Sequence, residues 1–378
     1  MKSARPTIND VARQAGVSKA TVSAVLNNAG SVKGSTRDRI TAAMEMLNYR
    51  PTRHAGRGAG ARGGRAIGLL VKEIDNPYYG EVVTGAWGQA QEAGYTLVVA
   101  SSEGEYEAER RAVELLQAKD VDGIIATPVL DEHADLAHFF ELRRRNFPFV
   151  LLEEVRGVPA SLVDVDNVDA SRRAVEHLIA GGHTRIAHFA GPTYSAHSGE
   201  RIDGVRRACS SSHLILDERD VVPAGAHLED GYRAGLAYFG SRADDQRPTA
   251  VTCYNDLVAI GLCRALRELG VGVPEDVSVI GYDDIPIVEY LAVPLTTVRV
   301  PKRRMGQLAA QMLIRHVEAR ELVPPQKVYL EAELVVRGST RALVPGTGAE
   351  RRAARTPEAG DAAVPNTQAR RGSAAAGP

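Results

Sequence analysis

The chain has 378 residues, 44% of them hydrophobic and 25% charged, a globular composition with room for two or three domains. Its net charge is −1, yet residues 1–65 hold twelve Lys and Arg against three acids, a net of +9 that leaves −10 for the rest. That split points to a phosphate-binding head on an acidic body, and no run reaches the ~18 apolar residues of a membrane span.

From Thr7 the sequence predicts two short helices joined by a tight turn. Thr7 caps the first with Asp10 at its third position, and Ile8, Val11, Ala12 and Ala15 share one face. Gly16 breaks the period and Ser18 caps the second helix, whose Val22, Val25 and Leu26 turn back to the first. The outward positions Lys19, Ala20, Thr21, Ser23, Ala24 and Asn27 are small or polar, as a helix entering a major groove requires. Lys19 is expected to donate to guanine O6 and N7, and Ala20 to pack on a thymine methyl. Ser18, Thr21, Ser23 and Asn27 are expected to hold phosphates and fix register, with Thr7 and Ala24 completing the DNA-facing set. A solvated polar face is the plain alternative for each residue alone; the basic charge of the segment argues against it for the set.

A third helix is predicted over Ser35–Leu47, and Pro51 closes a domain of residues 1–51. Residues 52–65 are rich in Gly and Arg and read as a basic hinge, in which Arg53 and Arg57 contact the DNA backbone. Beyond Ala66, apolar runs at Ile67–Val71, Thr96–Ala100, Gly123–Ala126 and Phe149–Leu152 alternate with helical stretches near 78–93, 105–119 and 131–145. A second series has runs at Leu162–Val165, Arg185–Phe189, Ala250–Cys253 and Val277–Gly281, with helices near 169–181, 199–210, 229–240 and 255–269. The expected fold is therefore a small all-α helix-turn-helix domain followed by an α/β body of two doubly wound parallel sheets, with a ligand cleft where strand ends meet. Residues 341–378 lack apolar periodicity and read as a disordered tail.

Cys209, Cys253 and Cys263 are odd in number and scattered, and the N-terminus reads as a DNA-binding pattern where a secretory leader would be apolar, so a reducing cytoplasm is expected. His133 and His138, like His183 and His188, stand five apart, off one helical face, and no cluster has zinc spacing. No nucleophile elbow or dinucleotide glycine fingerprint follows a strand. Neither metal nor cofactor is expected, nor is enzyme chemistry.

The chain resembles the LacI family of bacterial transcription regulators over about residues 5–340. The resemblance rests on Val17-Ser18 through Val22-Ser23, Asn48-Tyr49-Arg50-Pro51, Asp75-Asn76-Pro77-Tyr78-Tyr79, Val121-Asp122-Gly123-Ile124-Ile125, Gly182-His183-Thr184-Arg185-Ile186-Ala187, Asn255-Asp256, Gly281-Tyr282-Asp283-Asp284 and Pro294-Leu295-Thr296-Thr297-Val298. It implies a periplasmic-binding-protein-like body over 66–340 with three crossovers. One lobe would hold 66–160 and 292–322, the other 161–291 and 323–340. It also implies effector contacts at Asp169, Arg201, Asn255 and Asp283, with Tyr78, Tyr79 and Tyr254 nearby by strand order. Carboxylates, an amide and a guanidinium suit a polyol, and aromatic faces suit sugar C–H surfaces. Asp169 and Asp283 also read as helix caps, and Tyr78 as a core residue. Two departures stand out: Ala24 replaces an arginine frequent in the family's recognition helix, and Gly58 stands where the family wedges a leucine into the minor groove.

The resulting expectation is a cytoplasmic, homodimeric, effector-responsive regulator, a repressor more than an activator, bound to a pseudopalindromic operator of double-stranded DNA and controlled by a carbohydrate. The rivals are a transporter's solute-binding protein, opposed by the basic head, and a sugar-modifying enzyme, opposed by the lack of a catalytic constellation.

Overall fold

The computed structural model describes residues 7–26, 32–47, 49, 65–130, 136–319 and 323–343. Contacts divide it into two compact units, Met1–Gly64 and Arg65–Pro378. Asn27, Arg53, Arg57, Gly58 and most of the expected hinge lie outside the described residues.

The first unit contains α1 (Ile8–Ala15), α2 (Lys19–Leu26) and α3 (Gly34–Met46). The apolar spacing read from the sequence builds its core: Val11, Ala12, Ala15, Val22, Ile40 and Ala43 are buried, with Ile8, Val25 and Met44 packed around them. Gly16 ends α1 in the left-handed region at φ +63° and sends its N–H back to Ala12 and Arg13, the conformation glycine adopts without a Cβ penalty.

The second unit has two six-stranded sheets. The first has strand order β11-β5-β4-β3-β1-β2, made of β1 (Ala66–Val71), β2 (Thr96–Ser101), β3 (Ile124–Ala126), β4 (Phe149–Leu151), β5 (Ser161–Val165) and β11 (Lys327–Leu330). The second has order β12-β10-β9-β8-β6-β7, made of β6 (Ile186–Ala190), β7 (Val221–Pro223), β8 (Ala250–Cys253), β9 (Ser278–Asp283), β10 (Thr296–Arg299) and β12 (Glu333–Val335). All neighbours run parallel except β12, which is antiparallel to β10. Helices α4 (Pro77–Glu92), α5 (Tyr106–Ala118), α6 (Ala137–Arg144) and α11 (Lys302–Glu318) pack on the first sheet. Helices α7 (Asn167–Ala180), α8 (Ala196–Ser211), α9 (Leu228–Gly240) and α10 (Asp256–Glu268) pack on the second. No helix among the described residues is long and apolar enough to cross a membrane.

Three crossovers join the lobes as expected, but at other places. β5 belongs to the first lobe, where Leu151 pairs Leu162 and Leu162 pairs Lys327, so the first crossover follows Val165 and not residue 160. β10 belongs to the second lobe through Thr296–Ile280, which moves the second crossover from 291 to the Val300-Pro301 stretch. The third lies between β11 and β12, near Glu331, and not at 322. A buried apolar strand reads alike in either sheet, and only its pairing partner assigns it. The start of the expected tail is also corrected: Leu343 N–H donates to Gly181 O at 2.7 Å and Arg341 reaches Glu275 O at 2.7 Å, so residues 341–343 pack on the body.

The α4/α11 pair forms the tightest seam of the first lobe. A Cβ on Gly85 would lie 1.9 Å from Arg303 O, and one on Gly306 would lie 2.0 Å from Val82 O. Neither helix backbone can yield, so Gly306→Ala is expected to cost about 1–3 kcal/mol through forced separation of the pair. Thermal melts of the body would show it; an unchanged melting temperature would mean the seam relaxes freely.

Candidate DNA-binding head and interlobe cleft

On the head, the Thr7 N–H and hydroxyl both donate to the Asp10 carboxylate, at 2.8 and 2.7 Å, closing the first turn of α1. Ser18 Oγ accepts the Thr21 N–H at 3.1 Å and lies 2.8 Å from Thr21 Oγ1, so α2 starts capped. Arg39 on α3 donates to the carbonyls of Ala15 and Gly16 and fixes the turn between the helices. Thr7, Ser18, Lys19 and Ala20 are exposed, while Thr21, Ser23 and Ala24 are half-buried. The expected DNA-facing residues that are described therefore fall outside the core, with Lys19 and Ala20 at the helix start that reads base edges in this motif.

The body places a cleft between the carboxyl ends of strands from both sheets, the position expected of a ligand site in open α/β sheets. Of the seven residues that the resemblance points to, Tyr78, Tyr79, Arg201, Tyr254, Asn255 and Asp283 line it. Arg201 is buried on α8. Its guanidinium lies 3.6 Å from the Tyr282 ring centroid and 4.7 Å from that of Tyr254, donates to Tyr254 O, and stands 3.8 Å from the Asp283 carboxylate. Its Nε donates to Asn167 Oδ1 at 3.3 Å, and the Tyr282 hydroxyl donates to the same oxygen at 3.0 Å. Tyr78 and Tyr79 meet edge to face at the start of α4, ring centroids 5.0 Å apart, behind the Asn76 cap and Pro77.

Asp283 is not a helix cap. It ends β9 with φ +108°, followed by Asp284 at φ +55°, two strained non-glycine residues in succession. Burial pushes its carboxyl up to about 6, against the pull of Arg201, Lys302 and His197. Asn255 lines the cleft but its amide is already engaged: Oδ1 caps α10 at Val258 N–H, 2.9 Å, and Nδ2 donates to Ala226 O at 2.8 Å.

Asp169 is the residue the structure removes from the site. It lies in the first turn of α7, its side chain 41% exposed, paired with Arg172 at 2.5 Å and Arg173 at 3.0 Å. Charge complementarity on the helix surface satisfies it. The nearby carboxylate on β5, Asp164, is buried behind the cleft and sits 3.2 Å from Nε2 of His197, which lines it.

Sequence reasoning missed Lys72, Glu73, Glu153, Tyr194, Ser195 and His197, all of which line the cleft. Glu153 pairs with Lys72 and also accepts from Ser195 Oγ at 3.2 Å and from the Ala196 N–H at the start of α8. The Tyr194 hydroxyl donates to Glu73 at 3.0 Å, and the Leu130 N–H to Tyr194 O at 2.8 Å, so one loop of the second lobe is held by two loops of the first. The available signal was position: Lys72, Glu73 and Glu153 follow strand ends, and His197 stands one helical turn before Arg201.

Burial lowers the pKa of His197, but the Asp164 and Glu153 carboxylates outweigh it and raise the ring to about 9. The unfolded ring releases its proton near 6.5 and the folded one near 9, so this ion pair contributes fully below 6.5 and fades as the pH rises through 9. Thermal melts of wild type and His197→Gln should therefore converge across that window. A constant difference between them would contradict the ionised pair.

A helix-turn-helix head and a two-lobed ligand-binding body together define a class of ligand-responsive DNA-binding regulators. Residues 7–52 match the model for bacterial regulatory proteins of the lacI family, and residues 175–340 match a periplasmic binding protein-like domain. The HTH-type transcriptional repressor PurR of Vibrio campbellii is 36% identical over 350 residues, covering 89% of this chain and 99% of that protein. Among solved structures, the transcriptional regulator CelR–cellobiose complex matches with TM-score 0.66 and 32% identity over 89% of this chain and 100% of that one. The lac repressor dimer bound to operator and the anti-inducer ONPF matches with TM-score 0.63 and 30% identity over 89% of this chain and 99% of that one. The chain belongs to the lacI family of bacterial regulatory proteins.

Proposed function

We propose that the protein is a homodimeric transcriptional repressor whose operator affinity is set by a neutral, hydroxyl-rich effector, a sugar or sugar derivative, bound in the interlobe cleft. The observation that carries this reading is the charge pairing of the cleft. Lys72 is paired with Glu153, His197 with Asp164 and Arg201 with Asp283, while Glu73 adds a fourth carboxylate. An anionic ligand would meet no unneutralised cation there, whereas hydroxyls can both donate to the lining carboxylates Glu73, Glu153 and Asp283 and accept from Arg201. Tyr78, Tyr79 and Tyr254 supply apolar faces for the C–H surfaces of a pyranose or furanose. The similarity to a regulator–cellobiose complex supports the same class.

Dimerisation is supported by apolar side chains left on the body surface: Trp87 on α4, Val99 on the edge strand β2 and Leu115 on α5 in the first lobe, with Leu228, Ile287 and Tyr290 in the second. Two heads per dimer would read two half-sites of a pseudopalindrome. An effector that favours one lobe arrangement shifts DNA affinity, and DNA shifts effector affinity by the same factor.

Thermal shift of the whole protein with cellobiose, ribose and gluconate tests the effector class. A neutral sugar at a hundred times its Kd should stabilise the body by about 2.7 kcal/mol. Stabilisation by gluconate alone would reverse the assignment to a neutral ligand.

A further inference from the structure

Lys302 is the first residue of α11 and belongs to the first lobe, yet its ammonium ends in the second. The side chain is buried, and Nζ donates to the main-chain carbonyls of Asp283, at 2.5 Å, and Asp284, at 3.0 Å. Its third contact is Glu81 Oε1 on α4, at 3.3 Å. Two of the ammonium's three donors are thus spent on main-chain carbonyls, and its charge is paired with Glu81.

The two carbonyls are those of the strained pair that ends β9. A left-handed turn at two successive aspartates persists only where its surroundings over-determine it. Within the second lobe the turn is held by Asp256, which accepts the Ile285 N–H at 2.8 Å, and by Arg299 and Arg337, which bind the Asp284 carboxylate at 2.7 and 2.8 Å. Lys302 adds a hold from the first lobe. α11 is locked to α4 at Gly85 and Gly306, and α4 begins with Tyr78 and Tyr79. The ammonium therefore links the Asp283 side of the cleft to the helix pair that carries its aromatic side.

We propose that Lys302 is a positioning residue of the effector site: from the α4/α11 pair it clasps the Asp283–Asp284 turn, aims the Asp283 carboxylate at Arg201, and makes the turn and the α4 tyrosines move together. This role rests on the reading of the cleft as the effector site, and it is tested without any effector. The geometry has two consequences. The turn loses its cross-lobe hold without Lys302, and the Asp283 carboxylate loses a neighbouring cation.

The experiment uses the ligand-free full-length protein with 13C-labelled aspartate carboxyls, the Asp283 signal being assigned by its disappearance in Asp283→Asn. In wild type it should titrate near 6. Lys302→Gln, which keeps hydrogen-bonding capacity and removes the charge, should move the midpoint upward, and Lys302→Arg should bring it back toward wild type. A purely packing role would leave the midpoint in place, and an unchanged value in a folded Lys302→Gln protein would overturn the proposal. Should that variant fail to fold, the wild-type 15N ammonium signal of Lys302 decides. Slow proton exchange with couplings to the Asp283 and Asp284 carbonyl carbons is expected, and a fast-exchanging signal like that of a surface lysine would overturn the proposal. Loss of sugar binding in the thermal-shift screen would leave both readouts standing and would count against the sugar reading alone.

Discussion

Arg201→Ala is expected to abolish the effector response while leaving operator binding by the effector-free protein near wild type. Arg201 is the buried cation against which Asp283 is set, and it rests on the Tyr282 ring. Losing the charge-assisted hydrogen bonds that Arg201 offers a ligand hydroxyl costs about 1.5–3 kcal/mol each, roughly ten- to over a hundredfold in effector affinity per bond. The fold should survive, because Asp283 is already pushed up to about 6 by burial and can take up a proton when its cation is removed. Calorimetry with the stabilising sugar, beside gel shifts without it, separates the outcomes. Joint loss of sugar binding, DNA binding and melting temperature would make Arg201 a structural residue.

Removing residues 1–64 should eliminate operator binding and leave a body that melts cooperatively and still binds the sugar. The division of the chain between Gly64 and Arg65 supports independent folding of the body, since each unit has its own apolar core. Lys19→Ala is the graded version. It should weaken the cognate operator about ten- to a hundredfold and random duplex little, because a base contact carries sequence information and a phosphate contact does not. Operator binding retained by the truncated body would remove the head from the account. Equal losses on both duplexes would move Lys19 from base readout to backbone contact.

The head was legible because its information is local. Val11, Ala12, Ala15 and Val22 announce their shared face by spacing, and Gly16 and Ser18 mark the turn within four residues of one another. Eight of the body's twelve described strands and most of its helices were legible for the same reason, although β7, β10, β11, β12 and α11 escaped. What local pattern cannot supply is partnership between distant segments. β5, β10 and β11 were assigned to the wrong lobes because a strand's own residues carry no label for its sheet. Asp169 was misplaced for a related reason: the resemblance pointed to an acid near the start of α7, while pairing with Arg172 and Arg173 keeps that acid on the surface and Asp164 faces His197 instead. Lys72, Glu153 and Lys302 acquire their roles from residues 81, 43 and 19 positions away. Such contacts exist only once the sheets have formed and the crossovers have brought the two lobes together.

The central claim is that one ligand cleft and one DNA-binding head are thermodynamically coupled. It is tested most directly by titrating the full-length protein against the DNA upstream of its own gene, with and without saturating amounts of the sugar that stabilises it. The account predicts a change in operator affinity of about 5- to 150-fold, with the same factor appearing in sugar affinity when operator is present. It also predicts no change in the Arg201→Ala protein. Identical operator affinity with and without bound sugar in wild type would contradict it.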